Sequence, residues 1–131
     1  MSTAIASAPT SSLRRTTIVV AAVAATATTL AAATMRAAGV HLAAGGRIPL
    51  AAFAQFTFAG AVLGGLLVAV LNRRSTLSRR RFIQIAVAFT ALSCLAPAAA
   101  GDDVPGKIGL IAIHLLAATI TAPVLARQTT H

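Results

Sequence analysis

The sequence predicts an all-α fold, an integral membrane four-helix bundle with both termini in the cytoplasm, and three observations support this. The 131 residues are 57% hydrophobic and only 10% charged, whereas soluble domains carry about 25% charged residues. Four charge-free segments of about 20 residues are each long enough, as helices, to cover roughly 30 Å of bilayer hydrocarbon. They are residues 16–35, 49–71, 82–100 and 108–126. The basic residues, finally, are concentrated in alternate connections.

Helices are the expected form of these segments because a backbone in lipid must satisfy its own hydrogen bonds. One four-span transmembrane domain, residues 14–127, accounts for almost the whole chain. Residues 1–13 are small, polar and proline-containing, so we expect a disordered tail there. Residues 128–131 form a short polar tail.

The first segment, residues 16–35, consists mostly of alanine and threonine. Threonine hydroxyls can bond to carbonyls one turn earlier, which lowers their cost in lipid. A cleaved signal peptide is the alternative, with Arg14 and Arg15 as its basic region. The apolar stretch exceeds the usual signal-peptide core of about 7 to 15 residues. We therefore predict a membrane span.

The second segment, residues 49–71, begins with Pro49, which suits a first helical turn. It contains a GxxxG motif formed by Gly60 and Gly64, and Thr57 and Ala61 share that helix face. Such faces allow close approach of a neighbouring helix. We expect packing within the chain, and a homodimer contact is the alternative.

The basic run NRRSTLSRRR, residues 72–81, is predicted to be a cytoplasmic loop. Eight of the eleven basic residues would share its side of the membrane, which the positive-inside rule assigns to the cytoplasm. They are Arg14, Arg15, Arg73, Arg74, Arg79, Arg80, Arg81 and Arg127. We interpret the five arginines of the run as topology determinants that contact lipid headgroups.

Docking of an acidic partner or of nucleic acid is the alternative role for this run. The chain lacks Trp and Tyr, and its five Phe lie in or beside apolar segments. Base-stacking side chains are therefore missing from the run, and we expect no nucleic-acid partner.

The third segment, residues 82–100, carries a polar stripe at helical spacing, composed of Thr90, Ser93, Cys94 and Pro97. Such groups are unfavourable against lipid, so the stripe should face inward. Pro97 should end or kink the helix. Asp103 is expected to cap the fourth helix, with Pro105 in its first turn.

His114 is the one imidazole inside a predicted span, six residues into the fourth segment. Counting back from Ala100 places Cys94 and Ser93 at a similar depth, so His114, Cys94, Ser93 and Thr90 form a candidate functional polar cluster. The histidine is either neutral and bonded to Ser93, Thr90 or a carbonyl freed by Pro97, or it serves as a ligand or proton relay.

No catalytic motif, paired carboxylate or paired cysteine is recognisable. Cys94 and His114 give two ligands, where structural zinc normally takes four. A bis-histidine haem would need a second histidine in a span, but His41 is expected on the surface of a soft, glycine-rich connection. We therefore expect no enzyme activity, no metal and no cofactor.

Five features characterise the layout of the chain: the Arg14–Arg15 pair, the stretch from Gly39 to Leu42, the glycine-rich second segment running into the arginines, the Ser93, Leu95, Pro97 pattern, and GLIAIHLLAATITAPVLAR from Gly109 to Arg127. In these features the chain resembles an uncharacterised family of small four-span membrane proteins from high-GC bacteria. The resemblance implies the fold and no assigned activity.

The sequence thus predicts a multi-pass protein of the bacterial inner membrane that contacts the bilayer and either another membrane protein or a second copy of itself. A non-enzymatic structural or partner-modulating component fits best. A small channel or transporter that uses the stripe around His114 is the first alternative. A haem- or quinone-binding membrane subunit is the second.

Overall fold

A computed structural model describes residues 8–74, 76–100 and 103–130. It contains four helices, α1 (Ala8–Ala37), α2 (Leu50–Arg74), α3 (Ser78–Ala100) and α4 (Val104–Ala126). Each helix includes a stretch long and apolar enough to cross a membrane. The predicted all-α fold with four candidate membrane-spanning helices is therefore confirmed.

Every helix is longer than the charge-free segment that predicted it. α1 begins at Ala8, so residues 8–13 are helical where a disordered tail was expected, while residues 1–7 lie outside the described chain. Pro9 lies in the first turn of α1, where a missing backbone donor costs little. The charge-free segments end near the first charged residue. A helix, in contrast, ends where a cap or a change in the backbone interrupts its hydrogen bonding.

The basic run of residues 72–81 is mostly helical, which corrects its interpretation as a loop. α2 continues through Arg74 and α3 begins at Ser78, so only residues 75–77 separate the two helices. Arginine has a high helix propensity, and the run contains no glycine or proline. The five arginines are thus held on the ends of two helices.

α4 begins at Val104, four residues before the predicted segment. The Asp103 carboxylate accepts a hydrogen bond from the Gly106 backbone N–H at 2.9 Å, and Pro105 lies in the first turn. The predicted cap is confirmed. α3 runs through Pro97 to Ala100, so the proline does not end that helix.

The helices form an antiparallel bundle in which α1 packs against α2 and α4, while α3 packs mainly against α4 and less against α2. α1 and α3 are not neighbours within the described residues. α3 therefore lies at the edge of the bundle and packs less extensively against the other helices than α1 does.

Two apolar clusters mark the two ends of the bundle. We call the first end the arginine end; its buried residues are Leu13, Val20, Val68, Leu71, Phe82, Leu125 and Ala126. We call the second the loop end; its buried residues are Ala32, Leu42, Phe53, Leu110 and Ile113. The start of α1, the α2–α3 connection and the end of α4 consequently meet at the arginine end.

Small side chains fill the middle of the bundle between these clusters. Ala21 and Ala24 of α1 are completely buried, and Ala61 and Gly65 of α2 are buried on the facing helix. Small residues allow helix backbones to approach closely, which is the main source of helix association in lipid.

The connection between α1 and α2 is folded onto the loop end. Gly39, with φ of 89°, ends α1 in a Schellman motif, because the Val40 N–H donates to the Met35 carbonyl and the Gly39 N–H to the Arg36 carbonyl. A tight turn through Gly45 follows, closed by a bridge between Ala43 and Arg47.

Leu42 of this connection is only 2% exposed and contacts the side of α4 at Gly109. His41 beside it is exposed, as predicted. Leu42 thus anchors this otherwise largely exposed segment between the helices, a contact that the sequence did not predict.

Candidate functional site

His114 is the eleventh of the 23 residues of α4, close to the middle of the helix. The predicted depth of six residues was too shallow because α4 begins four residues earlier than its charge-free segment. At about 1.5 Å per residue, the ring lies roughly 15 Å from the N-terminal end of α4. Its side chain is half-buried.

The imidazole is bonded within its own helix. Nδ1 lies 2.8 Å from the Leu110 carbonyl oxygen. Because a carbonyl oxygen only accepts, Nδ1 must be the protonated nitrogen in this bond, which in the neutral ring leaves Nε2 with its lone pair. The histidine thus offers one acceptor nitrogen near the middle of the bundle.

The predicted partners of His114 on α3 do not bond to it. Within the described residues, no hydrogen bond joins the imidazole to Thr90 or Ser93, and the carbonyl that it uses is that of Leu110 rather than one freed by Pro97. The Leu110 carbonyl lies one turn back on the same helix, whereas a bond to α3 would need a precise register between the two helices.

The polar stripe of α3 faces its neighbours, as predicted. Thr90, Ser93 and Cys94 are half-buried and Pro97 is buried. Thr90 is the thirteenth of the 23 residues of α3, so it lies near the middle of its helix, as His114 does in α4. Cys94 lies four residues, or about 6 Å, nearer to the loop end. Thr90 is therefore a better match in depth for His114 than Cys94 is.

The glycine face of α2 is rotated from its predicted position. Gly60 is exposed and has nothing within 4 Å of the place where a Cβ would lie, so its predicted packing role within the chain is wrong. A Cβ on Gly64 would lie 2.9 Å from Leu125 Cδ1, which places Gly64 at the α4 contact.

Gly65 is the packing residue that the sequence reasoning missed. It is buried, and a Cβ there would overlap the side chain of Thr17 on α1. The pair Ala61 and Gly65 has the same small-xxx-small spacing as the predicted motif, one residue further along. This second pair, which overlaps the predicted motif, is the sequence signal that could have identified Gly65 as a packing residue.

Threonine hydroxyls in the helices mostly bond to carbonyls of their own helix, as the sequence suggested. Thr28 donates to the Ala24 carbonyl at 2.9 Å and its hydroxyl also lies 3.0 Å from that of Thr57, which links α1 to α2. Own-helix bonds of this type are made by Thr26, Thr29, Thr34, Thr119 and Thr121. Thr17 Oγ1, in contrast, is buried without a hydrogen-bond partner in the described chain.

A cation–π contact at the loop end was also missed. The Arg36 guanidinium lies 5.9 Å from the centroid of the Phe53 ring. Its Nη2 atom is buried and makes no hydrogen bond to the residues described. The face of the Phe53 ring stabilises the guanidinium cation, part of which is buried away from water.

At the arginine end, Asn72 binds the C-terminal tail. Its Nδ2 donates to the Gln128 carbonyl and its Oδ1 accepts from the Thr130 N–H, both at 3.0 Å. The arginines next to it are exposed; they are Arg73, Arg74, Arg79, Arg80 and Arg81. The described residues contain no group of three or more His, Cys, Asp or Glu placed to hold a metal ion.

This architecture defines a class, that of all-α proteins with four candidate membrane-spanning helices. The chain belongs to the family of unknown function DUF6069, whose model matches residues 8–131. The predicted resemblance to an uncharacterised family is confirmed, while an origin in high-GC bacteria stays a prediction. No curated protein and no solved structure matches the chain.

Proposed function

We propose that the protein is a multi-pass component of the bacterial inner membrane, with both termini in the cytoplasm, that packs against another membrane protein without catalysing a reaction. The four apolar helices support membrane insertion. The bonding of span threonines and of His114 Nδ1 to carbonyls of their own helix supports a packing role, since these donors are satisfied within the chain.

The exposed face of α3 is the observation that carries the proposal. Only 11% of its apolar stretch is buried in the chain, compared with 33% for α1. Large side chains project from it, including Val87 and Phe89, each 64% exposed. The large side chains form ridges on the helix surface. The small side chains of Ala88 and Ala91, which are also exposed, leave hollows between these ridges. Ridges and hollows of this kind fit a partner helix in lipid.

Site-specific photo-crosslinking in cells tests this proposal. A photoreactive residue replaces Phe89 on α3 or, as the matched control, Phe56 on α2, which is 77% exposed. We expect a protein adduct from position 89 and none from position 56. An adduct of twice the chain's mass would identify a second copy as the partner. Absence of protein adducts at position 89 under conditions that label lipid would contradict the proposal.

A small transporter is the second candidate, and the position of His114 favours it. The imidazole lies half-buried near the middle of α4, and its Nε2 makes no hydrogen bond within the described residues. Proteoliposomes that carry the wild type should then show proton or cation flux that His114→Ala abolishes. His41→Ala, which changes an exposed histidine of the α1–α2 connection, is the control. Equal flux in all three samples would remove this candidate.

A further inference from the structure

A shallow groove lies on the first turns of α3, at the arginine end of the bundle. It is lined by Leu77, Arg79, Arg80, Ile83 and Gln84, and its volume is about 400 Å³. Ligand-binding pockets commonly measure roughly 300 to 1,000 Å³. The groove is therefore large enough to hold a headgroup and the first part of a chain attached to it.

Among the described residues, no acidic side chain lies beside this groove. Five arginines lie between residues 73 and 81, whereas the described acidic residue, Asp103, caps α4 at the other end of the bundle. An anion bound from outside the chain would reduce the repulsion between the guanidinium groups. Arg79 and Arg80 also lie in the first turn of α3, where the helix dipole disfavours cations.

The identity of these cations points to phosphate. All five are arginine and none is lysine. A guanidinium is planar and can donate two parallel hydrogen bonds to a phosphate, whereas an ammonium acts as a point charge. Two neighbouring arginines can therefore hold a phosphodiester in a fixed orientation.

The lining of the groove is almost entirely apolar, so Arg79 and Arg80 contribute their methylene stems to it and carry their guanidinium groups at its rim. Leu77 is 53% exposed and Ile83 is 44% exposed, on either side of the two arginines. Ile83 lies one turn beyond Arg79, further into the apolar part of α3. An inorganic phosphate would leave this apolar surface uncovered, whereas an acyl chain would lie along it.

We propose that the groove binds one anionic diacyl phospholipid, with its phosphate on Arg79 and Arg80 and an acyl chain along Leu77 and Ile83. The inference rests on the proposed membrane insertion of the four helices. The sequence predicted that all five arginines contact lipid headgroups. The inference assigns the phosphate of one lipid to two of them, Arg79 and Arg80.

Purified full-length protein in nanodiscs tests this site, because both faces of a disc are accessible and the orientation does not matter. Discs contain phosphatidylcholine alone or with a fifth of phosphatidylglycerol, and native mass spectrometry counts the lipids retained after the disc is removed. The variant pair is R79Q/R80Q and, with the same loss of charge at the same end, R73Q/R74Q, whose arginines do not line the groove.

We expect the wild type to retain one phosphatidylglycerol in preference to phosphatidylcholine. Retention of phosphatidylglycerol should fall roughly tenfold in R79Q/R80Q, because each basic residue near an anionic surface contributes to the binding free energy. It should fall by less than about twofold in R73Q/R74Q, whose arginines do not line the groove. Excess glycerol phosphate should not displace the lipid, because it lacks the acyl chain.

Three results would overturn the inference. Equal losses in the two variants would show a general surface attraction. Displacement by glycerol phosphate would show a free phosphate site. Equal retention of both lipids by the wild type would show no anionic preference, and this result needs no variant. A chain that does not enter the discs would instead contradict the proposed membrane insertion.

Discussion

Thr17 and Thr28 of α1 are chemically identical, yet their hydroxyls have opposite surroundings. Thr28 is fully buried and bonded to carbonyls of its own helix and to Thr57 of α2. Thr17 is 7% exposed, and its hydroxyl finds no partner in the described chain because it is packed against Gly65. A buried polar group without a partner costs free energy, whereas a paired one contributes modestly.

This contrast predicts opposite effects of the same substitution. Thr28→Val should lower the free energy of unfolding by about 1 kcal/mol, because it removes the link to Thr57. Thr17→Val should leave stability unchanged or raise it by up to about 1 kcal/mol, since an unpaired hydroxyl is replaced by a methyl group. Denaturant titrations of each variant in one detergent, followed by circular dichroism, measure both values. A larger loss in Thr17→Val than in Thr28→Val would contradict the assignment.

His114 shows how far single residues could be predicted. Its position inside a span and the absence of another span histidine follow directly from the sequence. Its bonding partner did not follow, because the choice between a carbonyl on α4 and a hydroxyl on α3 depends on helix register. That register is set by the packing of α3 against α4, which neither segment shows on its own.

At the scale of helices, α2 shows a packing face that the sequence left ambiguous. Gly60 with Gly64, and Ala61 with Gly65, form two overlapping small-residue patterns, one residue apart. The structure uses Gly64 against Leu125 and Gly65 against Thr17, and leaves Gly60 open. The bulk of the facing side chains decides between the patterns, and it is not visible in α2 alone.

The rotated face predicts which glycine tolerates a methyl group. Gly65→Ala should destabilise the bundle by about 1 to 3 kcal/mol, since the new Cβ overlaps Thr17 in a packed interface. Gly60→Ala should be neutral or stabilising by up to about 1 kcal/mol, because alanine is the better helix former and nothing is near.

Thermal melts of the two alanine variants in the same detergent compare these effects. Thr17→Ala combined with Gly65→Ala should recover part of the loss, because it removes most of the overlapping atoms. If Gly60→Ala were instead the harmful change, the predicted motif would be used after all, in a contact between two copies of the chain.

At the scale of the whole molecule, hydropathy and charge were sufficient for the number and order of the helices. They could not reveal that residues 39–48 fold back onto the bundle, because Leu42 is one apolar residue in a polar, glycine-rich connection. The start of α1 and the C-terminal tail both lie beside the α2–α3 connection, at the arginine end of the bundle. Eight basic residues therefore belong to one end, and three basic residues and Asp103 to the other.

This separation of charge predicts the orientation of the protein and a way to disturb it. The arginine end should lie in the cytoplasm, because basic connections are retained there. Green fluorescent protein fused at either terminus should fluoresce, and alkaline phosphatase inserted between Gly45 and Gly46, in the exposed turn, should be active. Replacing the five arginines between residues 73 and 81 by glutamine leaves three basic residues at each end.

That variant should insert in both orientations and give mixed reporter signals. Arg36→Gln combined with Arg47→Gln is the control: it removes charge from the loop end and should preserve the wild-type orientation. If the five-arginine variant kept a single orientation, features other than arginine, such as the packed loop end, would have to determine the topology. Wild-type termini outside the cytoplasm would contradict the proposed orientation directly.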